Sequence, residues 1–338
     1  VAAPAVAVMR SLYLLRPFGS AGIEGEQLVV RSRGDEVERV RLPLLDQILV
    51  MGNLQLSTPL IRACLQRGIP IAYLSRHGWC HGRVQPVEGG YRHRGRYQLL
   101  LGEADRLAAA TSLIAGKIAN GRVLLLRLTR RDRRELVAGT IERLQWHAQQ
   151  VRQARSADRI RGLEGNAAAD YFTALGRLLE GDGFAFLGRH RRPPTTPFDA
   201  LCGFGYSVLW NGVLTRIELQ GLDPYEGVLH VGSPRHAALV SDLIEPLRTL
   251  LVDPFNVWMI RVRRIRADQG FENRDGGIFL DEASRRLWLK AWSAYMAERV
   301  TLADGSQGAR WDVVDGLVRS FVRFVYAPVN GLVVPQRR

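Results

Sequence analysis

His230, Asp242 and Glu245 bring one imidazole and two carboxylates into a short stretch, Gly221 to Arg248. Asp242-Leu-Ile-Glu245 lies in a segment of helical character, and a spacing of three sets both carboxylates on one helix face, about one turn apart. Two oxygen donors on a helix and an imidazole from the preceding loop can share a divalent cation, and this mixed set suits Mn²⁺ or Mg²⁺ better than zinc. Taken alone, a plainer reading is the stronger one: the two acids open a helix, offset its dipole, and Glu245 pairs with Arg248. Glu164 is the candidate fourth ligand. It stands among Gly162, Gly165, Ala167 and Ala168, small residues that let a second element approach closely. A carboxylate buried there would need a cation or an arginine beside it.

The chain that carries these residues is strongly basic. A net charge of +14 and a pI near 10.5 point to a polyanionic partner. Nucleic acid ranks ahead of a membrane surface, since no apolar run reaches the roughly 18 residues that a span requires and no basic amphipathic anchor stands out. Lys117 and Lys290 are the only lysines among the 47 basic residues; arginine, which fills the rest, is the better phosphate fork. Arg189-His-Arg-Arg-Pro-Pro-Thr-Thr-Pro197 is a basic loop whose prolines block helix and strand, and beside a metal it would supply phosphate contacts through Arg189, Arg191 and Arg192. Tyr91 to Tyr97 is a second basic stretch, with aromatic ends, and reads as a linker. Cys64, Cys80 and Cys202 are too few and scattered for a disulfide framework or a zinc knuckle, so a reducing cytoplasm is expected. His77-Gly-Trp-Cys80-His81 lacks a second ligand pair and reads as a structural turn. The apolar start, Val1 to Val8, has no basic leader and makes a poor signal peptide; one origin it allows is a linker from an upstream domain.

The elements that must position the site fall into an α+β arrangement, a small β-rich domain over residues 9–96 and a larger all-helical domain over 97–338. Leu12–Leu15, Gln27–Val30, Val37–Leu42, Gln47–Val50 and Ile69–Leu74 have the β-branched runs and Gly/Pro boundaries of strands. Thr58 to Gln66 reads as a helix, with Thr58 as N-cap and Pro59 at its first position. From Leu99 the period becomes helical, and Asn120-Gly121 is expected to close the first long helix. Phe198–Gln220, Leu287–Val300 and Trp311–Tyr326 follow as helices; Tyr206 and Trp210 share a face of the first, as core aromatics do.

Set beside their flanking words, these residues carry a family resemblance. The words are Gly162-Leu-Glu-Gly-Asn-Ala-Ala-Ala-Asp-Tyr-Phe172, Arg189 to Pro197 with Ala200-Leu201, Phe204-Gly-Tyr206, Gly221 to His230 and Ala238 to Arg248. In order and spacing the chain resembles the CRISPR-associated endonuclease and integrase of the spacer-acquisition module, and Lys117-Ile-Ala-Asn120 extends the likeness. The resemblance implies a homodimer that works on DNA with a small second adaptation subunit. It also implies a Mg²⁺ or Mn²⁺ site from Glu164, His230 and the helix face of Asp242 and Glu245, and transesterification that inserts DNA fragments into a repeat array. Arg189, Arg191, Arg192 and Arg248 are then expected to position phosphate, and Tyr206 a DNA end. Two positions depart from the family pattern: Asp199 stands where Asn is usual, and Gly121 where Gln often is. Other classes left open are a metal-dependent DNA-repair or junction nuclease, and a DNA-binding scaffold whose acids make ordinary ion pairs.

Overall fold

Continuous apolar runs in the N-terminal region build a parallel sheet, because a strand buried on both faces needs no alternation. β5 (Gln47–Met51), buried at every position, is its centre. It pairs in parallel with β1 (Ser11–Leu14) and β7 (Ile71–Leu74), and β8 (Cys80–Val84) closes the edge antiparallel to β7. A second four-stranded sheet has the order β4 (Asp35–Arg41), β3 (Gln27–Ser32), β2 (Phe18–Glu24), β6 (Asn53–Leu56). The computed structural model describes residues 11–337, apart from 16–17, 33–34, 76–79, 88–92, 130–133, 185, 187, 190–192, 234–235, 302–304 and 306. The turn at His77 therefore lies outside the described residues.

The five expected strands are all present; β2, β6 and β8 join them. β2 was hidden by its two glycines. A Cβ at Gly19 would stand 2.5 Å from the Arg31 carbonyl oxygen of β3, so the glycine permits the close pairing it appears to weaken. α1 runs over Thr58–Gln66 as expected, but its N-cap is Ser57, whose hydroxyl accepts from the Leu60 amide at 3.4 Å. Leu28, Leu42, Ile48, Leu60 and Ile71 are among the side chains that fill this region's core.

The chain divides into two compact units. One holds the chain up to Gly90 with Arg286–Val300 and Gln307–Asp312; the other holds Tyr91–Arg285, Thr301–Ser306 and Val313–Arg338. The C-terminal region is mainly helical: α2 (His93–Leu99), α3 (Glu103–Leu128), α4 (Ala138–Gln153), α5 (Ala157–Leu179), α6 (Pro197–Leu219), α7 (Ala238–Leu247) and α8 (Asp253–Arg261). Beyond an all-helical expectation it contains two small hairpins. β9 (Phe271–Arg274) pairs with β10 (Gly277–Leu280); after α9 (Glu282–Ala297), β11 (Arg299–Thr301) pairs with β12 (Gln307–Ala309), and α10 (Arg310–Tyr326) follows.

Three local features shape the helical core. Asn120-Gly121 does not end α3, which runs on to Leu128. Gly121 instead leaves room for Tyr171, whose ring would lie 3.2 Å from an added Cβ, and Asn120 Nδ2 donates to the carbonyls of Pro246 and Pro335 at 3.2 and 3.0 Å. Thr196 caps α6 with Pro197 at its first position. The Asp199 amide donates to Thr196 Oγ1 at 3.1 Å, and that hydroxyl donates to Asp199 Oδ2 at 2.9 Å, so the Asp199 carboxylate holds the capping hydroxyl in place. Pro246, inside α7, removes one amide donor from the ladder, and a π-helical turn over Arg248–Val252 carries the chain directly into α8.

Candidate functional site

Asp242 is the fifth residue of α7 and almost fully buried, so an offset of the helix dipole does not explain it. Its carboxylate is turned onto the preceding loop. Oδ2 accepts from the amides of Val228 and Leu229 at 2.6 and 3.1 Å, while Oδ1 accepts from the His230 amide at 3.0 Å and meets His230 Nδ1 at 2.6 Å. From the other side, Arg106 donates to the Gly227 carbonyl at 2.6 Å and Arg161 to that of Leu229 at 2.8 Å. A carboxylate thus takes the loop's amides and two guanidiniums take its carbonyls. Charge-assisted bonds of this kind are the stronger class, and together they fix the backbone that presents the imidazole. The hydrogen bond to Asp242 raises the His230 pKa above its usual value. The loop closes only around a glycine, because a Cβ at Gly227 would lie 2.7 Å from Asp242 Oδ2, 2.7 Å from the His230 carbonyl oxygen and 2.8 Å from the Ala238 Cβ. Gly227→Ala is expected to lose about 2 kcal/mol of stability in urea unfolding, with a larger relative loss of activity as the imidazole shifts.

Glu245, one turn further along α7, faces elsewhere. Lys117 Nζ of α3 lies 2.6 Å from its Oε2 and also pairs with Glu164 of α5, while Arg248 NH1 lies 2.7 Å from its Oε1. Burial would push the Glu245 carboxyl up; Arg248 and Lys117 outweigh it and hold the group well below the usual carboxylate range. Glu164 thus has a cation beside it, the ammonium of Lys117. Gly162 and Gly165 face open space, so tight packing is not why they are small. Among the described residues, no three His, Cys, Asp or Glu side chains approach closely enough to share a metal ion. The donor chemistry nevertheless fits a hard divalent cation. Two carboxylates already converge on one positive charge, and His230 engages a carboxylate through Nδ1, the arrangement that leaves the other ring nitrogen free to ligate.

Beside Glu164 lies a small cavity of about 20 Å³, room for one water, lined by Lys117, Glu164, Tyr171, Tyr206, Arg248 and Asp253 among others. Its floor is a buried polar cluster that sequence reading missed. Asp253 accepts from Tyr171 Oη at 2.9 Å and Tyr206 Oη at 2.5 Å, and burial raises its pKa despite both bonds. Arg189 and Arg248 stack on the Tyr206 ring, 4.4 and 5.0 Å from its centroid. Tyr206 is buried, its hydroxyl donates to Asp253, and its ring backs two arginines. Arg191 and Arg192 lie outside the described residues. A separate, open cleft of about 790 Å³ is lined by His230, Arg106, Arg161 and the loop from Tyr225 to Ser233.

The family model for CRISPR associated protein Cas1 matches residues 12–294. The chain belongs to the Cas1 family. The CRISPR-associated endonuclease Cas1 2 of Rhodospirillum rubrum is 38% identical over 282 residues, 80% of this chain and 81% of that protein. Among solved structures, a Cas1 protein from Thermotoga maritima matches with a TM-score of 0.80 at 21% identity, covering 97% of this chain and 99% of that one. A chain of a Cas6-RT-Cas1–Cas2 complex matches at 0.77 and 22% identity, over 94% of this chain and 35% of that one. A casposase bound to integration product matches at 0.76 and 19% identity, over 97% and 93%. At these identities the structures show a shared Cas1 fold, an N-terminal β-sheet region followed by a mainly helical one. No helix among the described residues is long and apolar enough to cross a membrane.

Proposed function

We propose that this Cas1 protein is a divalent-metal-dependent DNA endonuclease and integrase that inserts DNA fragments into a CRISPR array by transesterification. The observation that carries the reading is the convergence of Glu164 and Glu245 on one positive charge, with Asp242, one turn before Glu245 on the same helix, fixing the His230 imidazole. Glu164, Glu245 and His230 would hold Mg²⁺ or Mn²⁺, and Asp242 would orient His230 from behind it. When bound, the cation supplies Lewis acidity at a non-bridging phosphate oxygen, stabilising the charge that builds as a 3′-hydroxyl attacks the phosphodiester. Arg106 and Arg161 keep the His230 loop in register, and Arg189 and Arg248, with Arg191 and Arg192, neutralise phosphate. The net charge of +14 suits a DNA partner whose grip weakens as salt rises.

DNA as spacer precursor and repeat array, a second copy of this chain and a small second adaptation subunit are the proposed partners. Two similar proteins support this, one solved in a Cas6-RT-Cas1–Cas2 complex and the other a casposase bound to integration product. The test is metal dependence. Joining of a short duplex to repeat DNA should vanish in EDTA and return with excess Mn²⁺; joining that persists in EDTA would rule the metal out. One observation favours a second reading, a non-enzymatic DNA-binding scaffold: both carboxylates stand in ion pairs with Lys117. That protein would bind DNA without joining or cutting it in any metal.

A further inference from the structure

Lys117 occupies the point on which two of the candidate ligands, Glu164 and Glu245, converge. Its ammonium comes from the middle of α3, bridges Glu164 on α5 and Glu245 on α7, and has a side chain only 10% exposed. The chain places arginine at nearly every basic position, yet it has one of its two lysines here. A guanidinium is a broad planar fork; an ammonium is a compact, roughly spherical charge with several donors. That shape is what two carboxylates from different helices can share in the way they would share a small metal ion. The need for such a charge is physical. Glu245 is almost fully buried, and two carboxylates drawn together without a cation would be costly to ionise.

We propose that Lys117 is a tethered stand-in cation, which holds Glu164 and Glu245 together in the metal-free protein and is displaced when Mg²⁺ or Mn²⁺ binds. This rests on the metal-site reading above. Oxygens committed to the ammonium are not open to a metal, so uptake is an exchange of one cation for another. The carboxylate pair stays assembled between turnovers, and metal affinity is lowered by the strength of the ion pairs that must break. Arg248 remains on the outer oxygen of Glu245 in either state. The released ammonium would then be free to move off the carboxylates.

Two measurements on the whole 338-residue chain test the exchange. The first follows free Mn²⁺ by electron paramagnetic resonance as MnCl₂ is titrated into wild type, Lys117→Met, and a Glu164→Gln/Glu245→Gln variant. Loss of the competitor should lower the dissociation constant of Lys117→Met at least tenfold. It should also lower the melting temperature without metal and enlarge the rise that saturating Mn²⁺ gives. Equal or weaker binding by a folded Lys117→Met overturns the proposal while leaving the metal site standing. If wild type takes up no Mn²⁺ that the double variant loses, the metal-site reading itself fails and the exchange with it. The second needs no variant. Lys290 is exposed, so it serves as the internal control for amine acetylation read by mass spectrometry. Mg²⁺ should raise labelling of Lys117 several-fold relative to Lys290; unchanged or reduced labelling overturns the exchange even if Lys117→Met does not fold.

Discussion

Glu245→Gln is expected to cut strand joining by about three orders of magnitude while DNA binding survives. The substitution keeps the shape of the side chain and removes its charge. A metal's Lewis-acid contribution amounts to several kcal/mol of transition-state stabilisation, and each 1.4 kcal/mol is about tenfold in rate. The same change strips a buried anion from Arg248, 2.7 Å away, and from Lys117 at 2.6 Å. Breaking one side of a buried pair costs about 3–5 kcal/mol, so stability must be followed in parallel. Rates of product formation at a temperature well below the variant's melting point separate the two effects. A loss in joining that tracks the loss of folded protein would make Glu245 structural only.

The second large effect is expected at Asp242, and there stability and activity should part company. Asp242→Ala leaves three loop amides and the His230 ring nitrogen without their acceptor. Each unpaired buried group costs about 1–3 kcal/mol, partly recovered by relaxation, and a net loss of about 4 kcal/mol is expected in urea unfolding. Asp242→Asn is the sharper probe. Its one carbonyl can still accept from the Val228 and Leu229 amides, while its NH2 must then face the His230 amide, so part of the loop's support survives and one acceptor is lost. Its neutral amide cannot match a carboxylate at His230 Nδ1, so ring orientation and tautomer are no longer fixed. Carboxylates behind a ligating histidine are typically worth about 10–100-fold in metal affinity or activity. Asp242→Asn should therefore fall within that range in joining, measured well below its melting point, while losing less stability than Asp242→Ala. Wild-type joining by Asp242→Asn would remove the orienting role.

How far the site could be read from sequence differs from residue to residue. The span from Thr58 to Gln66 was legible because Pro59 acts locally, although Ser57 and not Thr58 caps it, and α6 begins one residue before the expected Phe198, at Pro197. Asp242 and Glu245 were legible as a pair on one helix face but not in what each does. Helical spacing sets where a side chain starts, and the neighbours decide where it ends: Asp242 turns to the amides of the His230 loop, Glu245 to Lys117 and Arg248. Asn120-Gly121 misled for a related reason. The pair is a common helix end when read locally, and here it serves contacts with Tyr171, Pro246 and Pro335, which no local rule contains. Lys117 and Asp253 carry no local signal at all. Their partners sit on other helices, and Lys117 entered the sequence reading only within the word Lys117-Ile-Ala-Asn120, with no role attached. Tyr206 was legible as a core aromatic from its spacing, and the buried hydroxyl bond to Asp253 agrees with that role.

Joining of a short duplex into a supercoiled plasmid that carries a repeat tests the whole account most directly. The comparison is wild type against His230→Ala, with Mg²⁺ or Mn²⁺, the small partner subunit supplied, and fragments ending in either a 3′-hydroxyl or a 3′-hydrogen. Wild type should join only the hydroxyl end, and His230→Ala should join neither. Joining by His230→Ala at the wild-type rate would contradict the site. Cleavage by wild type that is His230-dependent, with no joining of either end, would show that water and not a DNA hydroxyl is the nucleophile.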